Sequence, residues 1–402
     1  MPFLAFEDVI DNIVDGLFLD KVDDDGVWDD TRLPKNFLAL ALVCRAFVNP
    51  VRRNLYRDLH VEGVERFLLL TGQLRFCPHL AKFVRSADLY STCSQTRLLD
   101  GYQTHFSVTA AWEPRSLSAT AFRWFLEACP QLTIVRLYGG DMVWALSVQS
   151  PPTVKLTEVH LTGCRQCENC MGSLQRGWLK NIVAFPCLKE LDISELSIGG
   201  EGAEDIAFAL PARSSLCTGL SISNINKPVV CDGLSALFRS MSGLRELVLD
   251  GLAPMRRGQL KKCLDLLANT LELLTITDYH SQEGRPRHWE DSTIASLHRL
   301  KILSLNGVPV TPSILDKLPS RIEHLRVSRL SVIALPVPVV GAWLRRDHFP
   351  LKDVLKKLEM IGELRANSAA RGRPAAPGQV DELAHLCDRM GIEWIHRRER
   401  HC

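Results

Sequence analysis

The sharpest chemical cluster in the sequence lies in the run HLTGCRQCENC, which holds His160, Cys164, Cys167 and Cys170. Thiolates at this spacing can grip one tetrahedral zinc ion, and His160 can add a nitrogen ligand. The run is a single overlapping one, not two separated Cys-x-x-Cys pairs. An equally simple reading is a strand histidine followed by a cysteine-bearing loop in a reducing compartment. No cofactor is expected. The six aspartates between Asp20 and Asp30 lack the regular oxygen spacing and terminal glutamate of a calcium loop. They read as a solvated acidic loop over 20–31. Gly199, Gly200 and Gly202 read as a turn after a strand, not as a phosphate cradle. No phosphate loop, nucleophile elbow or metalloprotease helix is present, and no enzyme activity is expected.

The elements that must carry these residues follow from a repeated phrase: apolar, two of any kind, apolar, one of any kind, apolar. Clear copies are Leu188–Leu191–Ile193, Leu244–Leu247–Leu249, Leu271–Leu274–Ile276, Leu300–Leu303–Leu305 and Ile322–Leu325–Val327. Weaker copies end at Leu89, Leu137, Leu161, Ile222 and Met360. Successive copies lie 22 to 33 residues apart, apart from one interval of 48. That spacing matches leucine-rich repeats. The residue between the last two apolar positions is mostly polar, as in a strand with one buried face. A doubly wound fold would want strands apolar on both faces. The expectation is therefore α/β: a leucine-rich-repeat solenoid with a curved parallel sheet and helices on its convex side. The middle residues Arg136, His160, Asp192, Thr275, Ser304 and Arg326 would line the concave face, either for recognition or as an ordinary solvated surface. The Asn or Cys that usually follows three positions later is absent except at Cys164, so irregular turns are expected.

Helix signals separate the phrases: DGLSALFRSM from Asp232, QLKKCLDLL from Gln259, DSTIASLHRL from Asp291, and Thr311-Pro312 as a cap before a first-turn proline. Near the end, RANSAARGRPAAPG reads as a mobile loop over about 365–378. It precedes a last helix whose Leu383, Leu386 and Met390 would cap the array. The basic run from His396 to His401 reads as a frayed terminus.

Residues 1–60 differ, and 61–402 are assigned to the repeats. Phe6, Val9, Ile10, Ile13, Val14 and Leu17 fall at helical spacing. The segment LPKNFLALALVCRAF reads as a second helix, and Asn49-Pro50 starts a third, PVRRNLYRDL. Net charge is +2, which gives no bulk attraction to nucleic acid. No apolar run is long enough to span a membrane. The opening MPFLAFEDVIDNIVDG has acids and no early Lys or Arg, against a secretory signal or presequence. The 13 cysteines are an odd number without framework spacing. Cys44, Cys129, Cys263 and Cys387 sit in apolar runs as free thiols would. The expected compartment is the cytoplasm or nucleus.

The stretch LPKNFLALALVCRAFVNPVRRNLYRDLHV resembles the second half of a fungal F-box. Leu42, Val43, Cys44, Arg45, Ala46, Phe47, Pro50, Arg52, Arg53, Leu55, Tyr56, Arg57 and Leu59 carry the match. HLAKFVRSADLY is similar to the strand phrase that follows the F-box in such proteins. The family usually opens with Leu-Pro and an acid, where this chain has Leu4-Ala5-Phe6-Glu7. The resemblance implies a helical module that binds a Skp-type adaptor, and through it a cullin, while the repeats hold an unknown protein substrate. Phe6, Ile10, Leu42, Val43 and Phe47 would form the adaptor patch. Two other readings stand beside it: a repeat scaffold without a ligase role, and a metal-dependent enzyme at His160 and Cys164–Cys170.

Overall fold

A short run with apolar second and fourth residues forms a strand when a neighbour can share its buried face. The computed structural model describes residues 45–91, 114–149, 155–163, 178–196, 216–223, 231–251, 258–277, 291–328, 331, 335–346, 351–366 and 373–397. Among these lie twelve five-residue strands. They are β1 (Asp58–Glu62), β2 (Ser86–Tyr90), β3 (Ile134–Tyr138), β4 (Glu158–Thr162), β5 (Glu190–Ser194) and β6 (Gly219–Ser223). The rest are β7 (Glu246–Asp250), β8 (Leu273–Thr277), β9 (Ile302–Asn306), β10 (His324–Ser328), β11 (Lys357–Ile361) and β12 (Glu393–Arg397). Every one of the ten phrases forms a strand, β2 to β11, with its last apolar residue in fourth place. β1 and β12 were not anticipated. β1 begins inside the segment read as helical, and β12 takes His396 and Arg397 out of the supposed terminal run.

The chain divides into two compact units, residues up to Cys187 and residues from Leu188 onward. In the first, β1 to β4 pair in parallel, each with the next in chain order. In the second, β5 to β12 do the same. Each unit is thus a solenoid-like α/β array. The register aligns the phrases: Ile222 lies beside Leu249, then Ile276, Leu305, Val327 and Met360. All of these are buried, as are the phrase-opening Leu244, Leu271, Leu300, Ile322 and Leu355.

Two backbone ladders lock the register. In most repeats the residue before a strand and the strand's first residue both donate to one carbonyl of the preceding repeat. Arg245 and Glu246 donate to the Thr218 carbonyl (2.8 and 2.9 Å), Lys301 and Ile302 to that of Glu272 (2.8 and 3.0 Å). At the other end, the residue after the strand donates to the next strand's last carbonyl. Gly63 reaches Tyr90 (2.8 Å), Gly139 reaches Thr162 (2.8 Å) and Gly251 reaches Thr277 (2.9 Å). Gly63, Gly139, Gly251, Gly307 and Gly362 at this place all have positive φ, as does Glu195. Backbone groups therefore supply the regularity that a side-chain Asn ladder usually gives.

The connecting helices pack on the buried side. Helix Val64–Phe76 packs on helix Pro114–Ala128. Phe67 meets Phe122 and Phe125 at ring-centroid distances of 5.8 and 5.5 Å. Such aromatic pairs add about 0.5–1.5 kcal/mol each beyond area burial. Cys129, Cys263 and Cys387 are buried in the core, as their apolar runs implied. In the second unit the segments from Asp291 and Pro312 are 3₁₀ turns (Asp291–Ile294 and Pro312–Lys317), not α-helices. The second of these lies in the 22-residue interval, which leaves little chain for a longer helix. Thr311 does cap its turn, accepting from the Ser313 amide at 3.3 Å.

Helix Arg45–Arg57 runs through Pro50 instead of starting there. Its buried residues Val51 and Asn54 hold it down, and the Asn54 amide donates to the Pro50 carbonyl at 3.2 Å. The stretch read as a mobile loop is anchored at its described ends. Ala366 donates to the Arg373 carbonyl (3.0 Å) and Ala375 to that of Leu364 (2.9 Å). Helix Pro377–Arg389 buries Leu383, Leu386 and Cys387, with Met390 half-buried. It does not end the array, because β12 follows and pairs with β11.

Candidate recognition surface

The first, third and fifth residues of each strand point away from the core. In the first unit the third positions are His60, Asp88, Arg136 and His160, in register. The Arg136 guanidinium donates to Asp88 at 3.0 Å and approaches the Ser86 hydroxyl at 3.5 Å. In the fifth row Tyr90 and Tyr138 stack in parallel, ring centroids 4.0 Å apart. The His60 ring leans on Tyr90 at 4.8 Å. Burial, and then the hydrogen bond with Tyr138, pushes the Tyr90 phenol well above its ordinary pKa. Burial also raises the Asp58 carboxyl. His160 stands beside Arg136, its Nε2 3.9 Å from a Glu158 carboxylate oxygen. The result is an aromatic step flanked by mixed charge, suited to stacking and ion pairing.

The second unit shows a different surface. Asp192 lies on β5, beside Ser221. Further along come Thr275, Ser304 and Arg326 in adjacent third positions. The fifth row adds Asn306 and Ser328, whose hydroxyl donates to the Asn306 side-chain oxygen at 2.8 Å. The third position of β11 is Glu359, an acid only 6% exposed. Two guanidinium groups and an imidazole surround it. His324 Nε2 and Arg326 Nε lie 3.6 and 3.8 Å from Oε2, and Arg397 Nε lies 3.9 Å from Oε1. A buried carboxylate needs such company, since an uncompensated one costs several kcal/mol. Burial, and secondarily Lys357, lowers the His324 pKa below 6.5.

A row of alternating charge marks the residues just before successive strands. Glu272 receives Lys301 at 2.7 Å, with Arg299 at 3.7 Å, and Glu323 receives Lys356 at 2.6 Å. Each lysine hydrogen bond holds its glutamate below the usual carboxylate range. These pairs are open to water, where screening leaves them little net effect on stability.

All six residues expected on the open face occupy third positions: Arg136, His160, Asp192, Thr275, Ser304 and Arg326. Arg136 neighbours His160, and Thr275, Ser304 and Arg326 form one row. Sequence reasoning missed the tyrosine stack, the Glu359 cluster and the alternating row, because each joins residues from different repeats. Of the proposed adaptor patch, Phe47 is half-buried on its helix, while Phe6, Ile10, Leu42 and Val43 lie outside the described residues. So do the acidic loop 20–31 and Cys164, Cys167 and Cys170. Among the described residues no three potential ligands gather around a metal position, and no helix is long and apolar enough to cross a membrane.

No protein-family model matches the chain, and no curated protein matches it.

Proposed function

We propose that this chain is a non-catalytic, substrate-recruiting F-box subunit of a Skp-cullin-type ubiquitin ligase, acting in the cytoplasm or nucleus. Its N-terminal helices dock on the adaptor and its open sheet faces hold a protein substrate. Its contribution is position, with the transfer chemistry residing in the rest of the complex. The resemblance of residues 36–90 to the fungal F-box and its following strand motivates the reading.

One structural observation carries it further. Helix Arg45–Arg57, which bears most of the resembling residues, runs directly into β1. Its last carbonyl, that of Arg57, accepts the Arg85 amide at 2.8 Å, and its Val51 is 1% exposed. The helix end is thus part of the sheet's hydrogen-bond frame. A joint of this kind transmits orientation, which a positioning subunit requires. Phe47, Val48, Leu55 and Tyr56 on the same helix are half-buried, leaving apolar surface that a partner helix can cover.

The buried Val51 and Asn54 equally suit a repeat scaffold whose helix only caps the array. The two readings separate on adaptor binding. The full-length chain, co-expressed with the Skp-type adaptor of its own source, should co-purify with it, and Leu42→Asp with Phe47→Asp should abolish the association. Retained binding in that variant would place the interface elsewhere. Absence of binding by the wild type would leave the scaffold.

A further inference from the structure

The first residues of the strands in the second unit form one continuous row on the open face. Register puts Glu190 beside Gly219, then Glu246, Leu273, Ile302, His324, Lys357 and Glu393. Read across the strands from β5 to β11, the row is acidic, then apolar, then basic; on β12 it closes with Glu393, an acid 3.6 Å from Lys357. We infer that it binds an extended peptide of a partner protein laid across β6 to β10, with a Lys or Arg over Gly219, an apolar residue over Leu273 and Ile302, and an Asp or Glu at His324 and Arg326. This gives a chemical class to the substrate of the recruiting subunit proposed above, and rests on that reading for the partner being a protein.

Three features support the assignment. First, Gly219 leaves a gap between two acids. A Cβ there would lie 3.3 Å from Glu190 Cγ, so the Glu190 side chain leans over the glycine. Glu190 and Glu246 stand two strand spacings apart, about 10 Å. Both are exposed, and neither makes an ion pair among the described residues. A long cationic side chain laid over this strand meets a carboxylate on either side. Second, Leu273 and Ile302 are adjacent, apolar and only half-buried. Third, the Arg326 side chain is 48% exposed and its Nε is 3.8 Å from Glu359, too far for a hydrogen bond. Its guanidinium can therefore take an incoming carboxylate in a two-pronged contact, with Lys357, 3.6 Å from Glu393, nearby.

The span fixes the spacing of the motif. From β6 to β10 is four strand steps, about 19 Å, and an extended chain covers about 3.3 Å per residue. The basic and acidic residues of the peptide thus stand about six positions apart, with the apolar one between them. Charge complementarity of this kind sets direction as well as affinity, because a reversed peptide meets like charge at both ends.

A display library of random peptides, selected on the full-length chain, tests this. The expected consensus has Lys or Arg and Asp or Glu about six residues apart, flanking an apolar residue. Selection on Glu246→Lys should lose the basic preference and keep the acidic one, and selection on Arg326→Glu should do the reverse. The wild-type consensus peptide should bind Glu246→Lys about fivefold more weakly, as for exposed ion pairs. Glu246 is exposed, so that variant keeps its fold and decides the matter even if Arg326→Glu, next to buried Glu359, does not fold. Failure to enrich any consensus, or a consensus that Glu246→Lys leaves unchanged, overturns the inference. Adaptor binding is a separate readout. A charge-dependent consensus in a chain that ignores the adaptor would sustain the peptide row and remove the ligase reading. Adaptor binding with no consensus would do the opposite.

Discussion

Gly63 and Gly139 offer a matched pair of perturbations. Each follows a strand, each donates to the next strand's last carbonyl at 2.8 Å, and each precedes a helix. Their backbones are nearly the same: φ 87, ψ 145 at Gly63 and φ 96, ψ 147 at Gly139. Alanine in this region costs about 1–3 kcal/mol. It regains about 0.4–1 kcal/mol by restricting the unfolded chain. Gly63→Ala should therefore destabilise by about 1–2 kcal/mol, since no atom lies within 4 Å of the added Cβ. At Gly139 the same Cβ would lie 2.1 Å from the Ser91 hydroxyl and 2.8 Å from the Ser91 carbonyl oxygen. The hydroxyl can rotate away, losing its 3.2 Å bond to the Tyr138 carbonyl, a loss of about 0.5–1.5 kcal/mol. The carbonyl can retreat only with its backbone, and overpacking of this kind adds about 1–3 kcal/mol. Gly139→Ala should thus lose about 1.5–4.5 kcal/mol more than Gly63→Ala. Urea midpoints of the two variants at unchanged slope measure the gap. Equal losses at the two sites would refute the Ser91 contact at Gly139, and no loss at either would refute the positive-φ turn that repeats after the strands.

Among the thiols of the described residues, alkylation of the native chain followed by peptide mass mapping should label the half-buried Cys77 and Cys187 first. Cys129, Cys217, Cys263 and Cys387 should stay protected until denaturant is added. Burial pushes the Cys129 and Cys217 thiols up to about 12 and that of Cys387 to about 11, which further suppresses their reactive thiolate. His324 has a pKa lowered below 6.5, first by burial, so the unfolded chain binds its proton more readily than the folded one. Its contribution to stability is whole above pH 6.5 and is lost as pH falls toward the folded value. His324→Gln should flatten the acid side of a stability–pH curve, and an unchanged slope would place that titration elsewhere.

The strands were legible because their code is local. Three apolar residues within six positions specify one buried face, and all ten phrases became strands. β1 escaped because Val51, Leu55 and Leu59 also fit a helical stripe running on from Pro50. β12 escaped because Gly391, Trp394 and His396 stand where the other repeats have apolar residues. One overlooked signal was plain: Gly63, Gly139, Gly251, Gly307 and Gly362 each follow a strand's last apolar residue by two places. The helices were read less well; around Pro312 a 22-residue interval leaves little more than a 3₁₀ turn, a limit that periodicity does not register. Face residues were placed by alternation alone. Their neighbours were not, because the Tyr90–Tyr138 stack and the groups around Glu359 join repeats through register.

The claim on which the functional account rests is that the N-terminal helices bind a Skp-type adaptor while the sheet stays free to hold a substrate. Light scattering on the full-length chain mixed with purified adaptor tests it directly. The account predicts one species with the summed mass of the two proteins, which Leu42→Asp with Phe47→Asp splits into its components. A folded wild-type chain that elutes apart from the adaptor at every concentration would contradict it.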